Sequence, residues 1–217
     1  MKRGSRTPWK KSRTYGDIYG GRSRVRMSDN IFARTHSLHR PSADQALPIL
    51  LQDSASRDYI FPVTADELAQ TLKNLPESDG RGITHIWLRR TPIRARKMGA
   101  PLAEFVCGSG VRLIVIYPWR KDGRMCIGHD KPQAQAMAPY LRFGASVICE
   151  DGRWYVEFSE ANLKRFYIEH LFCHELGHHV DWYNRNWSKA NSRQTEEFAD
   201  QYAVQWGANA AVLQSEV

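Results

Sequence analysis

The sequence predicts an α+β fold. Short runs rich in β-branched and aromatic residues stand at ITHIWLRR (83–90), VRLIVIYPW (111–119) and ASVICEDGRWYVEF (145–158), each of strand or hairpin length. From Ser159 onward the apolar period changes from strand-like to helical. A helix, a small and mostly antiparallel sheet, and then two helices therefore follow one another along the chain.

Before these elements lies a stretch of different composition. Residues 1–40 hold 11 Lys and Arg against 2 Asp and Glu, whereas the rest of the 217-residue chain is close to neutral, so the overall +8 belongs to the N-terminus. This Gly- and Ser-rich stretch has few aliphatics and cannot offset its own ordering entropy. Residues 1–45 are expected to form a disordered basic arm and residues 46–217 a single folded domain. The arm carries Trp9, Tyr15 and Tyr19 among its cations, the composition of a segment that meets nucleic acid or another acidic surface. A solvated tail, or a true start near Met27, explains the same composition.

The first regular element is a helix. Thr64 followed by Glu67 spells a capping box, Leu68, Leu72 and Leu75 mark an inner face, and Pro76 with the SDGRG stretch ends it near Asn74. Residues 83–90 follow as a strand, and RTPIRARKMGAP (90–101) as a basic loop. The nearly all-apolar run 111–119 reads as a strand buried on both faces. MCIGHD (125–130) is a short strand, and 145–158 a hairpin turning at Glu150-Asp151-Gly152.

Ser159 is an N-cap signal, and SEANLKRFYIEHLFCHELGHHVDWYN then reads as one long α-helix. On a regular α-helix Leu163, Tyr167, His170, His174, His178 and Asp181 share one face. Gly177 costs about 1 kcal/mol against Ala there, and its bare position admits another backbone or a ligand. A polar link, NRNWSKANSRQ, leads to a last helix, TEEFADQYAVQW (195–206).

Two of these helices carry chemistry. His174 and His178 are the histidines of His-Glu-x-x-His, placed i and i+4 so that both rings reach one metal ion. Glu175 lies about 100° further round the helix, too displaced to join the same bite but able to reach a water on the metal. A catalytic zinc site needs a third protein ligand and one open position. Glu196 supplies the ligand, and Asp200, one turn on, accepts the N–H of a ligand histidine and fixes its tautomer. Asp181 and Glu197 are rivals for the third position. Asp181 follows His178 on the same helix and cannot bend back to the shared ion, and Glu197 is out of phase with Asp200. His170 and His179 flank the ligands, and His36 and His39 lie near the arm with no assigned chemistry.

HELGH with a downstream EEFAD resembles the gluzincin branch of the zincin-like metallopeptidases. The likeness covers residues 60–207 in element order, although about thirty residues carry it by motif. No G-x-x-H continuation follows HELGHHVD, so the three-histidine metzincin pattern is absent. The resemblance implies a zincin-like core, a Zn²⁺ held by His174, His178 and Glu196, and hydrolysis of peptide bonds by a zinc-bound water with Glu175 as general base. It also implies an extended peptide or protein substrate held against an edge strand, either 125–130 or 145–149. Tyr202, Tyr183 and Arg193 are candidates to stabilise the developing oxyanion.

Other readings remain beside this one: a nucleic-acid-associated or partner-binding protein with a regulatory or structural zinc site. No apolar run is long enough to span a bilayer, and the charged N-terminus has no apolar segment behind it, so no secretory leader or membrane partner is expected. Cys107, Cys126, Cys149 and Cys173 are scattered without a C-x-x-C, as free or buried thiols of a reducing, cytoplasmic compartment. The last three sit in apolar stretches, where packing is expected to account for them.

Overall fold

The computed structural model describes residues 38–90, 101–108, 110–184 and 192–211. Most of the basic arm and most of the basic loop 90–101 lie outside the described residues. Within them the chain is a mixed α+β fold. It joins the core earlier than the expected boundary at residue 46: Leu38 is already buried, and the His39 carbonyl accepts from His85 Nε2 at 3.2 Å.

The main sheet has the order β1 (Ile49–Gln52), β3 (His85–Leu88), β5 (Val111–Ile116), β4 (Ala103–Gly108). β1 and β3, and β3 and β5, are parallel; β4 runs antiparallel to β5. This sheet is mixed, not mostly antiparallel as expected. The reason is the helix between β1 and β3, which returns the chain to the same end of the sheet and makes the pair parallel. Both faces are covered. Ile86, Leu88, Ile114 and Ile116 enter the core beneath the helices. Trp87, Leu113, Val115 and Tyr117 form a second cluster with Leu38 on the other face. That double burial explains the unbroken apolar run at 111–117.

The smaller sheet, β7 (Arg124–Gly128), β9 (Arg153–Glu157), β8 (Ser146–Glu150), contains the expected hairpin. Asp151 and Gly152 both take positive φ, 50° and 69°. This is the two-residue turn whose twist matches that of its strands. A two-stranded pair, β2 (Tyr59–Ile60) with β6 (Trp119–Arg120), is hydrogen-bonded to neither sheet.

The first helix, α1 (Ala65–Lys73), has the expected capping box in both directions: Thr64 Oγ1 accepts from Glu67 N, and Thr64 N donates to Glu67 Oε2 at 2.8 Å. A short α2 (Glu77–Gly80) follows it. A further helix, α3 (Ala134–Arg142), precedes the hairpin. The long helix is continuous but not regular. α4 (Glu160–Arg165) passes into a π-helical segment, Phe166–Phe172, and then into α5 (Cys173–Asn184). Bonds to i+5 place extra residues in each turn and rotate everything beyond them. Leu163 and Tyr167 consequently point into the core at 2% and 0% exposure, while His174 and His178 stay half-buried. The single shared face expected for a regular α-helix is therefore broken.

The last helix, α6 (Ser192–Ala211), packs along α5 and the π segment. Two glycines set how closely. A Cβ on Gly177 would stand 2.8 Å from Ala199 Cα, and one on Gly207 would collide with the Glu169 carbonyl. Of the two openings read for Gly177, backbone approach is the one realised. Among the described residues no helix is long and apolar enough to cross a membrane.

Candidate metal centre

The α5–α6 pair brings together His174, His178 and Glu196, whose ligand atoms all lie within 4.8 Å of one another. His174 Nε2 and His178 Nε2 are 3.1 Å apart. Glu196 Oε2 lies 3.4 Å from the first and 3.6 Å from the second. A triangle of two imidazole nitrogens and a carboxylate oxygen can hold a metal ion. The histidines come from one helix by i, i+4 spacing. The carboxylate comes from the neighbouring helix, at a height set by the Gly177–Ala199 approach.

Charge completes the arrangement. The two histidine rings hold the Glu196 carboxyl well below the usual carboxylate range, against the opposing effect of burial. Burial disfavours the charged form of His174, yet Glu196, Glu175 and Asp200 together raise its pKa. Asp200 Oδ1 stands 2.9 Å from His174 Nδ1, with the ring turned off the line of an ideal hydrogen bond. Asp200 thus stands beside His174 on the side away from the triangle.

Glu175 is buried at 7% exposure and is not in the triangle. Its carboxyl is raised by burial, and the neighbouring His174, His178 and the backbone N–H of Phe105 limit the rise. Phe105 belongs to β4, so the edge of the main sheet borders the site. Tyr117 N donates to Leu102 O at 2.9 Å across to β4. Backbone groups of an antiparallel pair alternate in direction. Ala103, Phe105 and Cys107 therefore turn theirs away from β5, and Phe105 turns its N–H to Glu175.

The rival ligands are elsewhere. Glu197 Oε1 accepts from Arg193 Nε at 2.8 Å, one turn back on the exposed side of α6. Asp181 is buried at 2% exposure and outside the triangle. His179 packs edge-on to Phe105 and its Nε2 donates to the Arg81 carbonyl at 3.0 Å. Burial lowers the His179 pKa to about 4, despite that bond. His170 is one turn before His174, with ring centroids 6.0 Å apart, and burial lowers it to about 4 as well.

Some expectations are corrected. Tyr202 donates to Asp79 Oδ2 at 2.7 Å and so ties α6 to α2 instead of serving the site. Arg193 is engaged by Glu197, and the Tyr183 side chain lies outside the described residues. The strands 125–130 and 145–149 belong to the smaller sheet, and the edge beside Glu175 is β4. Its sequence, AEFVCG, follows Pro101 and carries the short apolar run Phe105-Val106-Cys107, which is the signal that could have found it. The four cysteines are free; Cys173 is buried and its thiol pushed up to about 12 by burial, but Cys149 is exposed rather than packed.

No protein-family model matches the chain, and neither a curated protein nor a solved structure matches it.

Proposed function

We propose that this chain is a zinc-dependent peptidase with a zincin-like core of the gluzincin type, hydrolysing peptide bonds. The observation that carries the reading is the division of labour around one triangle. Three ligand atoms converge, a buried carboxylate stands beside them without joining, and a sheet edge with no paired strand among the described residues borders that carboxylate.

The donor set fits zinc. Ligands at 2.0–2.1 Å in a tetrahedron stand about 3.3 Å from each other, and the three separations here are 3.1, 3.4 and 3.6 Å. Only three protein ligands converge among the described residues, as in a catalytic rather than a structural site. Zinc bound there would supply Lewis acidity to a carbonyl and lower the pKa of water toward about 7.

The chain's own groups do the rest. Glu175, whose carboxyl burial raises and the two histidines draw back, accepts the proton of the attacking water and returns it to the leaving amine. The Phe105 N–H fixes the direction of its carboxylate. The outward backbone groups of Ala103 and Cys107, with the Phe105 carbonyl, offer an extended substrate main-chain hydrogen bonds, the mode of strand addition at a sheet edge. Asp200 orients His174. Free thiols fit a reducing, cytoplasmic compartment.

The test is metal content and peptide cleavage together. Purified protein is expected to hold about one zinc per chain and to cleave unfolded chains. Stoichiometric zinc in a His174→Ala, His178→Ala double variant would refute the ligand assignment.

A further inference from the structure

The floor of the site continues beyond the metal triangle along the long helix. β4 runs in the same direction as that helix. At one end Tyr167 donates to the Tyr117 carbonyl, next to Leu102, at 2.8 Å; at the other Arg112, opposite Cys107, stacks 4.8 Å above Trp182. A peptide added antiparallel to β4, the more stable pairing, therefore directs its C-terminal half back along the helix, from His174 toward His170.

At that end His170 touches three rings, with centroid distances of 6.0 Å to His174, 5.9 Å to Phe143 and 5.3 Å to Phe166. It is half-buried, and its ring nitrogens make no hydrogen bond among the described residues. Two guanidinium groups lie over the Phe143 ring. Arg165, at 5.9 Å, is matched by Glu169 at 2.9 Å. Arg142, at 5.6 Å, is exposed at the end of α3 and has no carboxylate partner among the described residues. A cation that a carboxylate could reach and an imidazole with spare hydrogen-bonding capacity thus border the same Phe143 ring, at the end toward which the C-terminal half of such a peptide runs.

We propose that Arg142 and His170 form a carboxylate-binding subsite on the C-terminal side of the scissile bond, so that preferred substrates present an acidic side chain or a free C-terminus there. This rests on the peptidase reading. Arg142 would bind by a charge-assisted hydrogen bond, and His170 would donate a second.

The experiment uses the zinc-loaded full chain and matched peptides. The second residue beyond the cleaved bond is Asp, Asn or Lys, and the C-terminus is free or amidated. Wild type is expected to favour a carboxylate-bearing peptide by about tenfold or more in kcat/KM, the size of one hydrogen bond to a charged group. Loss of the preference on Asp→Asn assigns the side chain as the source; loss on amidation assigns the C-terminus. Arg142→Glu is expected to reverse the order in favour of Lys, which a merely structural role would not do, and Arg142→Gln to bring the ratio close to one. An unchanged preference in both variants would overturn the subsite. If wild type cleaves none of the peptides, their binding to zinc-loaded Glu175→Gln protein, measured by calorimetry, decides separately. Tighter binding of the carboxylate peptides would keep the subsite and reject the peptidase, and equal binding would reject the subsite.

Discussion

Gly177 and Ala199 meet backbone to backbone: a Cβ on the glycine would stand 2.8 Å from Ala199 Cα and 3.0 Å from Tyr202 Cβ. Ala199 lies between Glu196 and Asp200 on α6, so this contact sets the height of the third ligand and of the histidine's partner. Gly177→Ala gains about 1 kcal/mol of helix propensity but overpacks a junction where neither neighbour is a flexible side-chain end, at about 1–3 kcal/mol. The variant is expected to be no more stable than wild type in urea unfolding and to bind zinc more weakly, because Glu196 must move. A more stable protein with unchanged zinc affinity would show that the approach does not position the site.

The third ligand is tested by three neighbours on α6. Glu196→Ala is expected to lose most of the metal, and Glu197→Ala, which removes only the exposed pair with Arg193, to keep it. Asp200→Asn is expected to bind zinc about 10–100-fold more weakly, as loss of a ligand's partner does. Zinc titration against a competing chelator ranks the three, and the reverse order for Glu196 and Glu197 would refute the ligand set.

His170 and His179 are each expected to cost the metal-free protein stability in mild acid, against the opposite contribution of His174 and Glu175, whose pKa values are raised. His170 and His179 have folded pKa values of about 4 because burial disfavours their charge, below the ordinary histidine value near 6.5. Their neutral forms favour the fold fully above about pH 6.5, and that contribution is lost as the pH falls toward about 4. Urea unfolding of chelator-treated wild type and His170→Phe from pH 7.5 to 4 isolates the His170 share of this decline. His170→Phe, beside Phe143 and Phe166, should make it shallower. An identical decline in that variant would mean that His170 does not titrate with unfolding.

What the sequence made legible was what is local. HELGH and EEFAD place His174 with His178 and Glu196 with Asp200 by i, i+4 spacing, the Thr64–Glu67 box shows by i, i+3, and the hairpin by an Asp-Gly turn. What it hid depends on distant partners or on residues with no distinctive type. The π segment has the composition of any apolar helix, and its different hydrogen bonding carries no residue signature. α3 contains Pro139, which argues against a helix on reading. β4 carries Glu104 within its apolar run, and only the fold shows that Tyr117 donates to that carboxylate on the face away from the helices. Tyr202 looked available for catalysis because its acceptor, Asp79, is 123 residues away.

The most direct measurement is made on Glu175→Gln, purified and assayed for zinc and for peptide cleavage side by side. Glu175 is buried beside the ligands but does not belong to their triangle, and it faces the Phe105 N–H. The amide therefore fits the same space, and the variant is expected to fold and to hold wild-type zinc. It cannot take a proton from water at neutral pH, so turnover is expected to fall at least about 100-fold, the usual size of general-base loss. Cleavage at the wild-type rate, or loss of zinc together with activity, would contradict the assignment of Glu175 as the base beside a catalytic metal.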